Sequence, residues 1–187
     1  MNNPPPKKLL LHCCCAPCGT HPFRLLQGQF NVTAYFDNPN IYPPEEHRVR
    51  LDEIRRLAER WIIPLEVGEC DPNAWFEAVK GHENEPEGSI RCEICYRFRL
   101  EKTARKAKTL HMDFFATTLS ISPHKKTETI NRIGLETAER FGVRFLEADF
   151  KKKDGFKLSC EISRAEGLYR QHYCGCMFSQ KQGREPS

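Results

Sequence analysis

No apolar run in this chain comes near the ~20 residues of a membrane span. The opening stretch Met1-Asn2-Asn3-Pro4-Pro5-Pro6-Lys7-Lys8 also lacks the apolar length of a secretory signal. A cytoplasmic protein with no membrane partner is therefore expected. Charge of one sign is not in great excess: 29 Lys and Arg stand against 25 Asp and Glu, and the net +4 favours an anionic partner without demanding one. Internal repeats are missing, as are low-complexity blocks beyond Pro4-Pro5-Pro6 and the polar end. At 187 residues there is no room for two independent catalytic domains. One domain is expected over 1–187, with 1–7 and 180–187 as disordered tails. With 39% apolar and 29% charged residues, the composition excludes a disordered or fibrous chain.

What the sequence has in abundance is cysteine, ten residues in a chain without an export signal. In a reducing cytosol so many thiols point to metal ligation or redox chemistry rather than a disulfide framework. Seven fall into three tight groups: Cys14-Cys15-Ala16-Pro17-Cys18, Cys92-Glu93-Ile94-Cys95 and Cys174-Gly175-Cys176. Cys13, Cys70 and Cys160 stand outside any ligand spacing. Cys70 and Cys160 are expected to be small buried hydrophobes, and Cys13 to point away from the site because neighbours on a strand alternate faces.

Lys8 to His12 reads as a short buried parallel strand that delivers the first cysteine group at its C-terminal end. A helix is expected from Thr20, as N-cap, to Leu26. Strands follow at Asn31–Phe36, Leu65–Val67, Phe114–Ile121 and Val143–Phe150. Amphipathic helices are read over Glu45–Trp61, from an Asp71 cap to Lys80, over Cys92–Leu110, and through Ile130, Ile133, Ala138 and Phe141. A last helix, capped by Ser159, is expected to end near Tyr173 and present Cys174 and Cys176. Strands alternating with helices imply an α/β fold, a parallel sheet with helices on both faces, whose ligands bind outside the C-terminal strand ends.

Seven thiols exceed a single tetrahedral site, since structural zinc and a cubane iron–sulfur cluster each take four ligands. A second metal beside the first, a structural-zinc RNA-binding module with spare cysteines, and a thiol-disulfide oxidoreductase built on Cys15-Ala16-Pro17-Cys18 all remain open on spacing alone. Ser122-Pro123-His124-Lys125-Lys126 reads as a phosphate-holding turn or a plain helix start. Basic residues including Arg48, Arg50, Arg55, Arg56, Arg97, Arg99, Arg105 and Lys106 can track a nucleic-acid backbone or form a solvated face.

Four stretches taken together resemble one family. They are Leu9-Leu10-Leu11-His12-Cys13-Cys14-Cys15-Ala16-Pro17-Cys18, Arg91 to Leu100, Thr117 to Lys126, and Tyr173-Cys174-Gly175-Cys176. In this order they resemble the QueH-type, cobalamin-independent epoxyqueuosine reductases over about Lys8 to Ser179. The resemblance implies a sheet of the adenine-nucleotide α-hydrolase (HUP-like) type with the metal site at the C-terminal strand ends. It also implies reduction of epoxyqueuosine to queuosine at the wobble position of tRNA, the last step of queuosine biosynthesis. A [4Fe-4S] cluster and an adjacent mononuclear iron are implied, with Cys14, Cys15, Cys18, Cys92, Cys95, Cys174 and Cys176 as ligands. Some relatives carry Asp where this chain has Cys18, so an all-thiolate second site is this chain's own expectation. The reaction needs two electrons from a separate, unidentified electron donor and two protons, for which His12 and Asp37 are the expected donors. Phe36, Tyr42 and Tyr96 are the expected aromatic platforms for an unstacked anticodon base.

Overall fold

A computed structural model of the chain describes residues 5–180. Its centre is β1 (Lys7–His12), whose last four side chains, Leu9 to His12, are buried on both faces. Leu9 and Leu11 enter one apolar cluster and Leu10 the other, as the period of two requires. β2 (Phe30–Phe36) and β3 (Leu65–Val67) add on one side, β4 (Phe114–Thr117) and β5 (Arg144–Phe145) on the other. All four pairings are parallel, giving the order β3-β2-β1-β4-β5. The chain thus winds outward in opposite directions from β1, and the crevice lies where β1 and β4 end side by side.

Helices cover both faces. α1 (Ala16–Leu26) and α2 (Pro44–Arg60) contribute Phe23, Leu26, Ile54 and Leu57 to the cluster under Leu9 and Leu11. α4 (Ile90–Thr109) and α5 (Thr127–Phe141) contribute Leu100, Ala104, Ile130 and Ile133 to the cluster under Leu10 and Phe115. α3 (Pro72–Val79) starts where the Asp71 carboxylate accepts the amide of Ala74 at 3.0 Å, the expected cap. α6 (Gly155–Ala165) and α7 (Met177–Gln180) complete the chain. Among the described residues no helix is long and apolar enough to cross a membrane.

Several expected boundaries move. α1 begins at Ala16, not Thr20; Pro17 occupies its first turn, and the Thr20 hydroxyl turns back to the Pro17 carbonyl at 2.9 Å. β4 stops at Thr117, because that side chain accepts the Leu119 amide at 3.2 Å and folds Thr118–Ile121 into a 3-10 turn. β5 keeps two residues of the eight expected. α6 starts at Gly155, four residues before Ser159, which lies inside the helix, and ends well short of Tyr173. Of the expected tails, Lys7 opens β1 and Gln180 ends α7, while 1–4 and 181–187 lie outside the described residues.

Candidate metal centre

The chain leaves β1 through Cys13, whose amide extends the ladder to the Tyr35 carbonyl at 2.8 Å and whose carbonyl accepts from the Asn38 side chain at 2.9 Å. Pinned there, the backbone swings out of the sheet. Cys15, in an extended conformation, caps α1, and Cys18 follows in the first turn. As a result the sulfurs of Cys14, Cys15 and Cys18 all lie within 4.8 Å of one another. Thr118, at the end of β4, reaches across the crevice to Cys14, 3.4 Å from its amide and 3.7 Å from its sulfur. The Gln171 amide reaches the Cys15 sulfur at 2.9 Å.

The other two groups come from different elements. Cys92 and Cys95 are in the first turns of α4, where the Gly88 amide lies 3.2 Å from the Cys92 sulfur. Cys95 and Cys176 share a small apolar cluster with Trp75 and Val79. Negative charge on Cys174 adds to the raised pKa of Cys92, Cys95 and Cys176. Among the described residues only the Cys14 group is as tight as 4.8 Å. Gly175, at φ 113°, holds a left-handed turn against Arg50, and a Cβ there would lie 3.0 Å from the guanidinium.

Burial and charge set the state of these thiols. Cys14 is held well below the usual thiol range because Cys15 and Cys18 donate to it, with Arg99 and Lys125 adding positive potential. Burial first, then the bond to Cys14, pushes Cys15 up to about 12; donation to Cys14 and Cys15 together with burial raises Cys18. An activated CxxC dithiol needs a lowered thiol within the pair. Here the lowered one is Cys14, outside it. Burial also raises Cys92 and Cys176, and carries Cys95 to about 11.

Two buried cations, Arg50 and Arg99, and the half-buried Lys125 face the sulfurs. Arg99, 2% exposed, donates to the Asn38 side chain at 2.5 Å and lies close to Cys95, Cys14 and Cys174. Arg50 stands beside Cys15 and Cys14. Burial opposes the charge of Lys125, yet Cys174, Tyr96, Cys14 and Cys18 raise its pKa above the ordinary value. Arg50 and Arg99 are thus part of the site rather than of an RNA-facing surface, and the Ser122–Lys126 turn supplies the Lys125 ammonium at the cavity wall before α5 begins. A set of soft thiolates enclosed by cations is the donor chemistry that iron and iron–sulfur centres take, so the residues fit such a group.

The expected proton donors sit differently. His12, fully buried, has Nδ1 2.9 Å from the Thr117 hydroxyl and Nε2 3.2 Å from the Asn38 oxygen. Burial, then the Arg99 charge, brings its pKa down to about 3, so the ring is neutral. Asp37 accepts from Tyr35 and forms an ion pair with Lys102, both at 2.8 Å. Of the expected aromatic platforms, Phe36 and Tyr96 are buried and Tyr42 is exposed. Cys13, expected to point away from the site, enters the apolar cluster of Leu9 and Leu11 and stays outside the Cys14 group; Cys70 and Cys160 were expected to be buried, but Cys70 is exposed and Cys160 lines the cavity rather than the core.

That cavity, of about 860 Å³, opens above the crevice. Cys14, Cys18 and Cys174 line it together with Lys125, Gln171 and Phe156. Lys125 belongs to the Ser122–Lys126 turn noted in the sequence, whereas Gln171 and Phe156 were not singled out there. Gln171 had a signal, a polar side chain just ahead of Cys174; Phe156 had none, because it falls where the sequence reads as a loop.

The sequence profile described as "Epoxyqueuosine reductase QueH" matches residues 9–182. A protein of that name from Streptococcus pyogenes is 38% identical over 172 residues, covering 89% of this chain and 68% of the relative. One from Thermotoga maritima is 37% identical over 154 residues, 81% of this chain and 80% of the relative. Among solved structures, the U34-tRNA thiolase NcsA from Methanococcus maripaludis with its [4Fe-4S] cluster superposes with a TM-score of 0.55 over 94% of this chain and 62% of its own. At 13% identity that likeness shows the fold alone, the expected HUP-like parallel sheet. With the profile spanning β1 to the last cysteine group, the chain belongs to the epoxyqueuosine reductase QueH family.

Proposed function

We propose that this protein reduces epoxyqueuosine to queuosine at the wobble position of tRNA in the cytoplasm, as a cobalamin-independent iron–sulfur oxidoreductase fed by a separate electron donor. The observation that carries this reading is the convergence of Cys14, Cys15 and Cys18 within 4.8 Å beside a cavity of about 860 Å³ that Cys14 and Cys18 line, a size that takes a modified nucleobase. Cys92, Cys95, Cys174 and Cys176 would hold a [4Fe-4S] cluster, since four thiolates satisfy a cubane; Cys14, Cys15 and Cys18 would hold the mononuclear iron. The tight mutual packing of the second set supports this division. When bound, these centres supply single electrons and a Lewis-acidic iron.

The chain's own residues do the rest. Opening the epoxide to the alkene consumes two electrons and two protons and releases the oxygen as water. Buried Arg50 and Arg99 and the half-buried Lys125 set positive charge against the thiolates, so a site crowded with negative sulfur remains stable. The Gln171 amide fixes Cys15 and the Thr118 hydroxyl fixes Cys14. His12, neutral and bonded at both ring nitrogens, locks the end of β1 to Thr117 and Asn38.

The test is anaerobic incubation of the iron-loaded protein with epoxyqueuosine-containing tRNA and a low-potential reductant, followed by nucleoside mass spectrometry. Queuosine is expected in the wild type and not in Cys92→Ser or Cys176→Ser, which are expected to lose iron and activity together. A fully active Cys176→Ser protein free of iron overturns the reading.

A further inference from the structure

Several basic residues of α2 and α4 meet acids of the same fold, Arg55 with Asp52, Arg56 with Glu53, Arg97 with Glu136 and Lys106 with Glu66, while Arg48, Arg105 and Lys108 are exposed and outside any ion pair among the described residues. Another unpaired set stands beside the cavity. Lys152, Lys153, Lys157 and Arg164 are exposed, and none takes part in an ion pair among the described residues. They follow one another along α6 and the turn before it. Asp154 and Glu161 are the acids on that ridge, fewer than its basic residues.

The ridge is part of the cavity's rim. Lys151 donates to the carbonyl of Lys125, a cavity residue, at 2.7 Å. Phe156, Arg164 and Arg170 line the cavity themselves. Phe156 is 38% exposed, with the Arg170 guanidinium 5.8 Å from its ring. The ridge is also fixed in place: the Ser159 hydroxyl donates to the Pro17 carbonyl at 2.6 Å and lies 3.1 Å from the Thr20 hydroxyl, which ties α6 to the turn that carries Cys18. A polyanion whose base enters the cavity must pass these cations, and an exposed aromatic waits beside the entrance. Stacking on aromatics combined with backbone charge is how single-stranded nucleic acid is held.

Building on the reductase reading, we propose that α6 and the turn before it form the surface that grips the single-stranded RNA loop. Lys152, Lys153, Lys157 and Arg164 pair with backbone phosphates, and Phe156 stacks on a base neighbouring the one in the cavity. The ridge therefore sets affinity for the loop, while the cysteines beneath it act on the inserted base.

Binding is measured by fluorescence anisotropy, with the iron-loaded full chain and a labelled RNA hairpin of anticodon-loop size carrying unmodified guanosine at the wobble position, at several salt concentrations. This reads the surface without the reaction. Lys152→Gln/Lys153→Gln/Lys157→Gln is expected to bind about tenfold more weakly or worse, and to flatten the log–log salt dependence by about two, since each phosphate contact to a single strand contributes roughly 0.7. Phe156→Leu is expected to cost about fivefold or more with the salt slope unchanged. Arg55→Gln/Arg56→Gln is expected to bind as the wild type does. A triple variant with wild-type affinity and slope overturns the proposal, as does an equal loss in the α2 variant, which would put the RNA elsewhere. The two readings fail separately: wild type that binds the hairpin through the ridge but leaves epoxyqueuosine tRNA unreduced overturns the reductase reading alone, whereas wild type that reduces the tRNA while the triple variant binds normally overturns the ridge alone.

Discussion

Arg50 shows how one side chain can hold a distant segment. Its side chain is 1% exposed; Nε donates to Glu46 at 2.7 Å, and the two Nη groups donate to the carbonyls of Cys174 and Tyr173 at 3.2 and 3.3 Å. Glu46 in turn accepts from the Tyr169 hydroxyl at 2.9 Å. The fork of the guanidinium is what allows one cation to serve an acid and two carbonyls; an ammonium on a flexible stem has no such geometry. Arg50→Lys is therefore expected to destabilise the protein by about 3 kcal/mol, the range for disrupting a buried ion pair, as read by urea denaturation. Arg55→Gln, which disturbs a pair more than half exposed, is expected to cost under about 1 kcal/mol. The sequence could not separate these two arginines. Both fall on an amphipathic helix among acids, and the partner that buries Arg50 lies 123 residues away.

The same limit governs elements. β1, α2, α4 and α5 were legible because each carries a local pattern, a buried run or a 3.6-residue repeat, strong enough to fix its type. The start of α6 was not, because Lys151–Gly155 reads as a polar loop and the helix is set by packing. Gly155 lies so close to Phe150 that a Cβ would sit 1.8 Å from its carbonyl oxygen, and 3.1 Å from the His21 ring on α1. A backbone atom cannot rotate away as a side chain can. Gly155→Ala is thus expected to cost about 1–3 kcal/mol, seen as a lowered thermal midpoint, even though alanine is the better helix former. Because Ser159 anchors α6 to Pro17, the shift is also expected to disturb the Cys14 group and lower iron content. Gly28→Ala, with open space around its Cβ, is the control and is expected to leave both unchanged. The cysteine groups belonged to the legible part in spacing only. That Cys14 joins Cys15 and Cys18 follows from the exit of the chain at Cys13, which depends on Asn38 and Tyr35 of a neighbouring strand and loop.

At the scale of the whole molecule, the seven thiols join parts of unequal stability. Cys14, Cys15 and Cys18 extend from the central strand, and Cys92 and Cys95 from a 20-residue helix packed on the sheet. Cys174 and Cys176 lie on a segment with little regular structure between α6 and α7. That segment is tied to the body by Arg50, by the Tyr42 amide on the Gly175 carbonyl at 2.8 Å, by the Tyr173 hydroxyl on the Tyr42 carbonyl, and by Gln171 on Cys15. A metal bound only in the native state stabilises whatever must fold to bind it, and the segment with the fewest other contacts depends on it most. Iron removal by an anaerobic chelator is therefore expected to speed amide exchange of residues 168–176 by about tenfold or more, while amides of β1, β2 and β4 keep their protection. A uniform rise across the sheet would instead mean that the thiols hold the fold together as a unit, and unchanged exchange at 168–176 would mean that Arg50 and its neighbours suffice to hold the segment closed. The first outcome makes the C-terminal segment a closure that iron completes: with the metal in place Gln171, Tyr173 and Cys174 complete the cavity wall, and without it the wall opens next to the ridge of α6.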